Sequence, residues 1–101
     1  MVQNTKKISW QKLRDYIVHI PGENSGMITL AGTNCYVVGR GQNRTLIDCC
    51  DVPGKNDGFL SNLKTFLDEN KGVNLSRILI THAHPDHLGG LDDVLEMLKQ
   101  R

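Results

Sequence analysis

Little in this chain is in excess. Its 101 residues carry 12 Lys and Arg against 11 Asp and Glu, for a formal net charge of +1. A chain so balanced lacks the basic patch by which a nucleic-acid-binding surface is recognised, which weakens a nuclease reading of this segment without excluding one, since an RNA-binding surface could lie outside it. No apolar run approaches the roughly 20 residues that a membrane-spanning helix needs, and no membrane association is expected. The N-terminus lacks the apolar stretch of a secretory signal. Only three cysteines are present, with Cys49 and Cys50 adjacent and Cys35 apart. Neighbouring cysteines rarely pair with each other, so reduced thiols in a cytoplasmic or organellar compartment are expected rather than a disulfide framework. Without secretion, the glycosylation-type triplets at Asn43 and Asn74 carry little meaning. Lys6, Lys7, Lys12 and Arg14 are compatible with a mitochondrial presequence; the competing reading is a frayed, solvated start. There is no repeat, low-complexity tract or linker, and the length suits one small domain.

What is present is concentrated in one place. The stretch Ile78-Leu79-Ile80-Thr81-His82-Ala83-His84-Pro85-Asp86-His87-Leu88-Gly89-Gly90 sets three histidines and an aspartate within six residues, directly after an apolar run. Ile78, Leu79 and Ile80 read as a buried strand. That strand should end near Thr81, because Pro85 and two glycines follow. Side chains two apart in an extended segment point to the same side, so His82 and His84 can reach one metal ion. Asp86 and His87 sit where the chain turns towards the next helix, a position from which they can face a second ion. Imidazole with carboxylate suits Zn²⁺, Mn²⁺ or Fe. With no cysteine in the cluster, a hydrolytic site with an open coordination position is favoured over a closed structural zinc site. Gly89 and Gly90 allow the backbone to pass close to the site. Asp92 and Asp93 suit the N-terminus of the following helix, where capping is their expected work.

The rest of the chain reads as strands followed by alternating helix and strand. Residues 13 to 20 form one strand by pattern, through Leu13, Tyr16, Ile17, Val18 and Ile20. A loop covers 21 to 26. Strands are expected over 27 to 30 and 34 to 38, broken near Gly32, and over 44 to 48 after a hairpin connection at 39 to 43. The GxG of that connection is a turn rather than a phosphate loop, since a strand follows it. After a loop over 51 to 57, Phe59, Leu63, Phe66 and Leu67 recur on one helical face. Lys64, Asp68 and Glu69 lie mainly off that face, and Lys71-Gly72 is a candidate C-terminal cap. Residues 77 to 81 form the motif strand. Leu91, Val94, Leu95 and Leu98 mark a last helix with its own apolar face.

His82-x-His84-x-Asp86-His87, after a strand and before Gly-Gly, resembles the signature of the metallo-β-lactamase superfamily. Leu30-Ala31-Gly32-Thr33-Asn34-Cys35-Tyr36-Val37-Val38-Gly39 resembles the early strand segment of the branch that holds β-lactamase-like endoribonucleases and related fungal thioesterases. Leu46-Ile47-Asp48 resembles the superfamily's first motif, in which an Asp ends a strand. The resemblance runs over residues 14 to 98 in the family's order. It implies an α/β fold, the αβ/βα sandwich of the superfamily. Residues 1 to 101 would be the N-terminal part of a single such domain and only its first half: a mixed sheet with two covering helices. A half-sandwich leaves one sheet face without its partner sheet, which predicts a large exposed apolar surface. The segment alone is therefore expected to self-associate or to need a complementing chain.

The resemblance also implies roles. His82 and His84 would bind a first zinc ion, and Asp86 and His87 a second, with Asp86 also orienting the nucleophile. A third histidine for the first ion, a bridging aspartate and a further histidine come from later positions in the family and do not follow His87 here. His19, the remaining histidine, lies upstream on a strand and reads as structural. Asp48 would support the ligand loop by hydrogen bonding. Where the family usually continues with a small residue and glycine, Cys49-Cys50-Asp51 follows; a position needing φ > 0 would strain a cysteine. Cys49 and Cys50 are also weighed as soft ligands, with the metal role the less favoured. Thr33 and Asn34 read as strand residues whose side chains satisfy nearby backbone.

The functional expectation is a metal-dependent hydrolase using hydroxide activated by two zinc ions, with single-stranded RNA as the first substrate and an acyl or glutathione thioester as the alternative. The 101-residue chain by itself is expected to be inactive. A competing expectation is a truncated, non-catalytic remnant that lacks the later ligands.

Overall fold

The chain enters its sheet through a hairpin. Strand β1 (Gln11–Arg14) pairs antiparallel with β2 (Ile17–Pro21), and Asp15 and Tyr16 make the turn between them. The computed structural model describes residues 8–23, 33–81 and 83–101. The single strand expected over 13 to 20 is thus two strands. Leu13 and Tyr16, counted as apolar beats of one strand, are both exposed. Strand β1 is exposed along its whole length and is held by backbone pairing at the sheet edge, so no burial pattern marks the break. The strand expected over 27 to 30 and its break at Gly32 lie outside the described residues.

Strands β3 (Asn34–Val38), β4 (Asn43–Ile47) and β5 (Asn74–Leu79) complete a five-stranded sheet in the order β1-β2-β3-β4-β5. Neighbours are antiparallel except β4 and β5, which are parallel. A parallel pair needs a crossover, here supplied by helix α1 (Asp57–Glu69). The consequence for function is positional. Parallel pairing sets Ile47 opposite Leu79, so the chain leaves β4 at Asp48 and β5 near Thr81 on the same edge of the sheet. Beyond that edge lie the short helix α2 (Pro85–Leu88) and helix α3 (Leu91–Lys99).

Helix α1 buries the face its sequence announces: Phe59, Leu63, Phe66 and Leu67, each worth about 1.5–3 kcal/mol of transfer free energy when fully buried. They meet Val18, Ile20, Cys35, Val37, Leu46 and Leu75 from one face of the sheet and Val94 from α3 in a single core. Trp10 closes the side, stacked edge-on against Phe66 with ring centroids 5.1 Å apart and its indole N–H donating to Glu69 Oε1 at 2.9 Å. Asn62, buried among these apolar groups, donates through Nδ2 to the Pro21 carbonyl at 3.0 Å and to Glu23 Oε2 at 2.9 Å. Lys64 and Asp68 pair at 3.0 Å on the solvated side.

Two details of the helices differ from the pattern. Helix α1 is capped by Asn70 rather than by Lys71-Gly72: the Asn70 amide N–H reaches Leu67 O, and its Nδ2 donates to Phe66 O at 2.8 Å. A side-chain amide that satisfies an orphan carbonyl removes the need for a left-handed glycine there. On α3, Leu95 points outward at 48% exposure, while Leu91, Met97 and Leu98 pack against the core.

The opposite face of the sheet carries Ile17, His19, Tyr36, Val38 and Ile47, all half-buried, and Leu79 at 54% exposure. Among the described residues helices α1 and α3 pack on the core face, and this opposite face, half-buried except at Leu79, is the one a partner layer would cover.

Candidate functional site

Two loops interlock beyond the ends of β4 and β5. The Asp48 amide donates to Leu79 O at 2.8 Å, the Cys49 amide to His87 O at 2.8 Å, and the Gly90 amide to Cys50 O at 3.3 Å. The approach is so close that a Cβ on Gly90 would collide with the Cys49 carbonyl, and one on Gly89 would lie 2.7 Å from the Val52 amide nitrogen. Both glycines have negative φ, so proximity and not a left-handed backbone demands them. The left-handed positions are Asp48 at φ 68° and Cys50 at φ 64°. Asp tolerates that region better than most residues; Cys50 carries the strain that its place in the motif foretold, of order 1–2 kcal/mol.

Asp48 is the hub. It is 3% exposed. Its Oδ1 accepts from the Thr81 amide at 2.8 Å, and both its oxygens lie within reach of the Thr81 hydroxyl, at 3.1 and 2.9 Å. Its Oδ2 lies 2.7 Å from His87 Nδ1. Burial raises the Asp48 pKa and is the largest single influence. The Thr81 amide, the His87 imidazole and the Thr81 hydroxyl together outweigh it and hold the carboxyl below its ordinary range. An ionised carboxylate only accepts, so His87 must donate through Nδ1. In the neutral imidazole that leaves the Nε2 lone pair outward. His87 Nε2 lies 3.4 Å from Asp86 Oδ2, and both side chains are about one-fifth exposed, at 19% and 18%.

The other candidates are placed as follows. His84 is exposed at the N-cap of α2, where its carbonyl accepts from the amides of His87 and Leu88 at 2.9 and 3.0 Å. His82 lies outside the described residues. His19 stands on the sheet face opposite the core, with Nε2 2.9 Å from Asn34 Oδ1 and its ring beside Tyr36. Thr33 and Asn34 reach distant side chains: Asn34 Oδ1 meets His19, and the buried Thr33 hydroxyl donates to Asp86 Oδ2 at 3.2 Å. Asp92 and Asp93 lie in the first turn of α3, as expected of acidic residues at a helix N-terminus, with Gly90 at the N-cap. Asp93 also accepts from Nδ2 of buried Asn56 at 2.8 Å, tying the loop after β4 to α3. The Asn56–Asp93 and Thr33–Asp86 contacts join residues 37 and 53 apart in the chain, and no local pattern signals them.

Cys49 and Cys50 are wholly buried. The Cys35 thiol bonds the Cys50 sulfur, which drives the Cys35 pKa up and draws that of Cys50 down. Cys50 Sγ is also 3.7 Å from the Gly22 carbonyl. Burial pushes the Cys49 thiol up to about 12. All three cysteines belong to the buried hydrophobic core.

As a test of fit for a metal ion, the described residues bring two donors of the right chemistry together, His87 Nε2 and Asp86 Oδ2, with the imidazole oriented from behind by a carboxylate, the usual support of a metal-binding histidine. No group of three His, Cys, Asp or Glu side chains among the described residues converges as a complete cage. The donor pair suits a divalent ion; it does not by itself enclose one. No helix among the described residues is long and apolar enough to cross a membrane.

Comparison with known proteins agrees with this architecture. The family model of the metallo-beta-lactamase superfamily matches residues 28–97. An atrochrysone carboxyl ACP thioesterase of Aspergillus aculeatus is 35% identical over 94 residues, covering 91% of this chain and 28% of that protein. A second thioesterase of that name, from a Cryptosporiopsis species, is 39% identical over 88 residues, covering 86% of this chain and 26% of its own length. A beta-lactamase-like protein 2 homolog of Caenorhabditis elegans is 37% identical over 86 residues, covering 85% of this chain and 28% of that protein. The chain spans about a quarter of the length of the curated relatives it matches. With the motif strand, the interlocked loops and the Asp48–His87–Asp86 chain in place, a family match over 70 of 101 residues leaves one assignment: the chain belongs to the metallo-β-lactamase superfamily.

Proposed function

We propose that the whole protein to which this chain contributes is a metal-dependent hydrolase of thioesters, with zinc as its metal. The observation that carries the reading is the hydrogen bond of His87 Nδ1 to the buried, ionised Asp48, which presents Nε2 beside the Asp86 carboxylate. Histidine held this way is a ready ligand for a divalent ion. His84, Asp86 and His87, together with His82, are the residues of this chain that would hold the metal. Bound there, zinc supplies a water acidic enough to act as hydroxide near neutral pH.

The chain's own residues do the rest. Asp48 fixes the tautomer of His87 and, through the Thr81 amide and hydroxyl, ties the ligand loop to the end of β5. Asp86 offers a carboxylate at the rim of the site to accept a proton from an attacking water and so orient it. The thioester class is favoured by the names of the fungal relatives, which are acyl carrier protein thioesterases. RNA, the other expected substrate, is a polyanion, and a net charge of +1 gives this segment no electrostatic footprint for it.

The test is made on the complete natural protein. Metal content is measured by atomic emission, and thiol release from an acyl-pantetheine thioester is followed beside cleavage of a single-stranded RNA. The expected result is bound zinc, thiol release lost on chelation and restored by Zn²⁺, and no RNA cleavage. His82→Ala is expected to lose both metal and activity. Wild-type metal content in that variant sinks the metal-site assignment, and RNA cleavage without thiol release replaces the thioesterase reading with an endoribonuclease.

A further inference from the structure

We infer that Thr33, which belongs to the strand segment and not to the histidine motif, is a positioning residue for Asp86. This deepens the proposed function and rests on it.

Thr33 is 5% exposed and its hydroxyl donates to Asp86 Oδ2 at 3.2 Å. It precedes β3, and its position is set by the sheet: the Thr33 carbonyl accepts from the Gly22 amide at 3.0 Å, one step beyond the Pro21–Asn34 pair that ends the β2–β3 ladder. The donor therefore stands on rigid backbone. Asp86, by contrast, stands on α2, a helix of four residues with no buried side chain. A carboxylate on so short an element needs an outside hold to keep one orientation. The hydroxyl of a β-branched residue suits that work, because its χ1 is restricted.

The same Asp86 oxygen also lies 3.4 Å from His87 Nε2. That nitrogen faces the Asp86 carboxylate while Nδ1 is held by Asp48, so the oxygen that Thr33 holds lies beside the imidazole. Asp48 and Thr33 thus act as a pair: Asp48 orients the imidazole through Nδ1, and Thr33 orients the neighbouring carboxylate through Oδ2. A threonine 53 positions before the aspartate would make the early strand segment part of the metal site.

The experiment compares Thr33→Val, which keeps the shape and removes the donor, with Thr33→Ser, which keeps the donor and removes a methyl group. Both are made in the complete natural protein and titrated with Co²⁺, whose visible spectrum reports each equivalent bound. Thiol release is measured in parallel. Thr33→Val is expected to weaken binding of one Co²⁺ equivalent by about 10–100-fold, the usual cost of losing an outer partner of a metal ligand, and to lower kcat with KM held. Thr33→Ser is expected to stay near the parent in both. If Thr33→Val does not fold, Thr33→Ala reads the same contact. Val and Ser variants that behave alike overturn the inference, because packing alone would then explain the residue. A parent protein that binds Co²⁺ at two equivalents while Thr33→Val matches it overturns this inference and leaves the hydrolase intact. A parent that binds no Co²⁺ overturns both.

Discussion

Phe66 beneath α1 and Asp48 at the sheet edge are almost equally hidden from water, at 1% and 3% exposure, yet their surroundings differ in kind. Phe66 belongs to a core of fourteen buried side chains among the described residues, where contacts are many, undirected and partly interchangeable. Asp48 is held by the Thr81 amide and hydroxyl and by His87, and each of those bonds has one geometry and no substitute. The core tolerates repacking and sets stability. The rim tolerates little and sets which way a few polar atoms point. A small protein can therefore keep its fold while losing its site, and the two regions can be separated by mutation.

The largest effect is expected from Phe66→Ala. It removes a buried aromatic and should cost about 3–5 kcal/mol, a large part of the roughly 5–15 kcal/mol that holds a domain together. Urea unfolding measures it, and a loss under 1 kcal/mol would break the contrast by showing that the core is not the seat of stability. Gly90→Ala comes next. Its methyl group has no room against the Cys49 carbonyl, and the forced shift should cost about 1–3 kcal/mol, as overpacking does. Unlike the core variant, it should also spread the Asp48 and His87 loops, visible as large amide shift changes at 48–51 and 87–90. Unchanged shifts there would refute the interlock.

Asp48→Asn should act on function more than on stability. Asn accepts the left-handed backbone that Asp48 adopts at φ 68°, so the loop conformation is kept. The amide can turn its NH₂ towards His87, which must then receive at Nδ1 and carry its proton on Nε2. Imidazole ¹⁵N shifts should report that tautomer exchange, and zinc affinity should fall by about 10–100-fold. An unaltered tautomer with full zinc affinity would show that Asp48 is a packing residue after all. The smallest effect is expected from Leu79→Lys on the sheet face opposite the core, within about 0.5 kcal/mol in the 101-residue chain. That variant should self-associate less by sedimentation, since it breaks an exposed apolar face; equal association would place the sticky surface elsewhere.

Much of this was legible from residue order. The apolar spacing of Phe59, Leu63, Phe66 and Leu67 named the buried face of α1, and the strand over 34 to 38 was read where β3 stands. The histidine motif with Leu46-Ile47-Asp48 pointed to the superfamily, and the Cys-Cys in place of a glycine pointed to the strained Cys50. The hairpin at Asp15-Tyr16 was not legible, because β1 is held by backbone pairing that leaves no pattern in its side chains. Nor was the cap at Asn70, where a side-chain amide does what a glycine was expected to do. The Thr33–Asp86 and Asn56–Asp93 contacts were not legible for a related reason: a short polar side chain is ambiguous until the chain decides which distant group comes within hydrogen-bond reach.

By itself, then, the sequence determined most of the elements and the chemical character of the site, since hydrophobic periodicity and donor type are properties of neighbouring residues. The tertiary structure alone decided which polar atoms meet. Parallel pairing of β4 with β5 sets Asp48 beside Thr81, and the interlocked loops hold His87 2.7 Å from Asp48. Such contacts depend on register and close approach across dozens of residues, and hydrogen bonds, unlike burial, exist only at one distance and one direction.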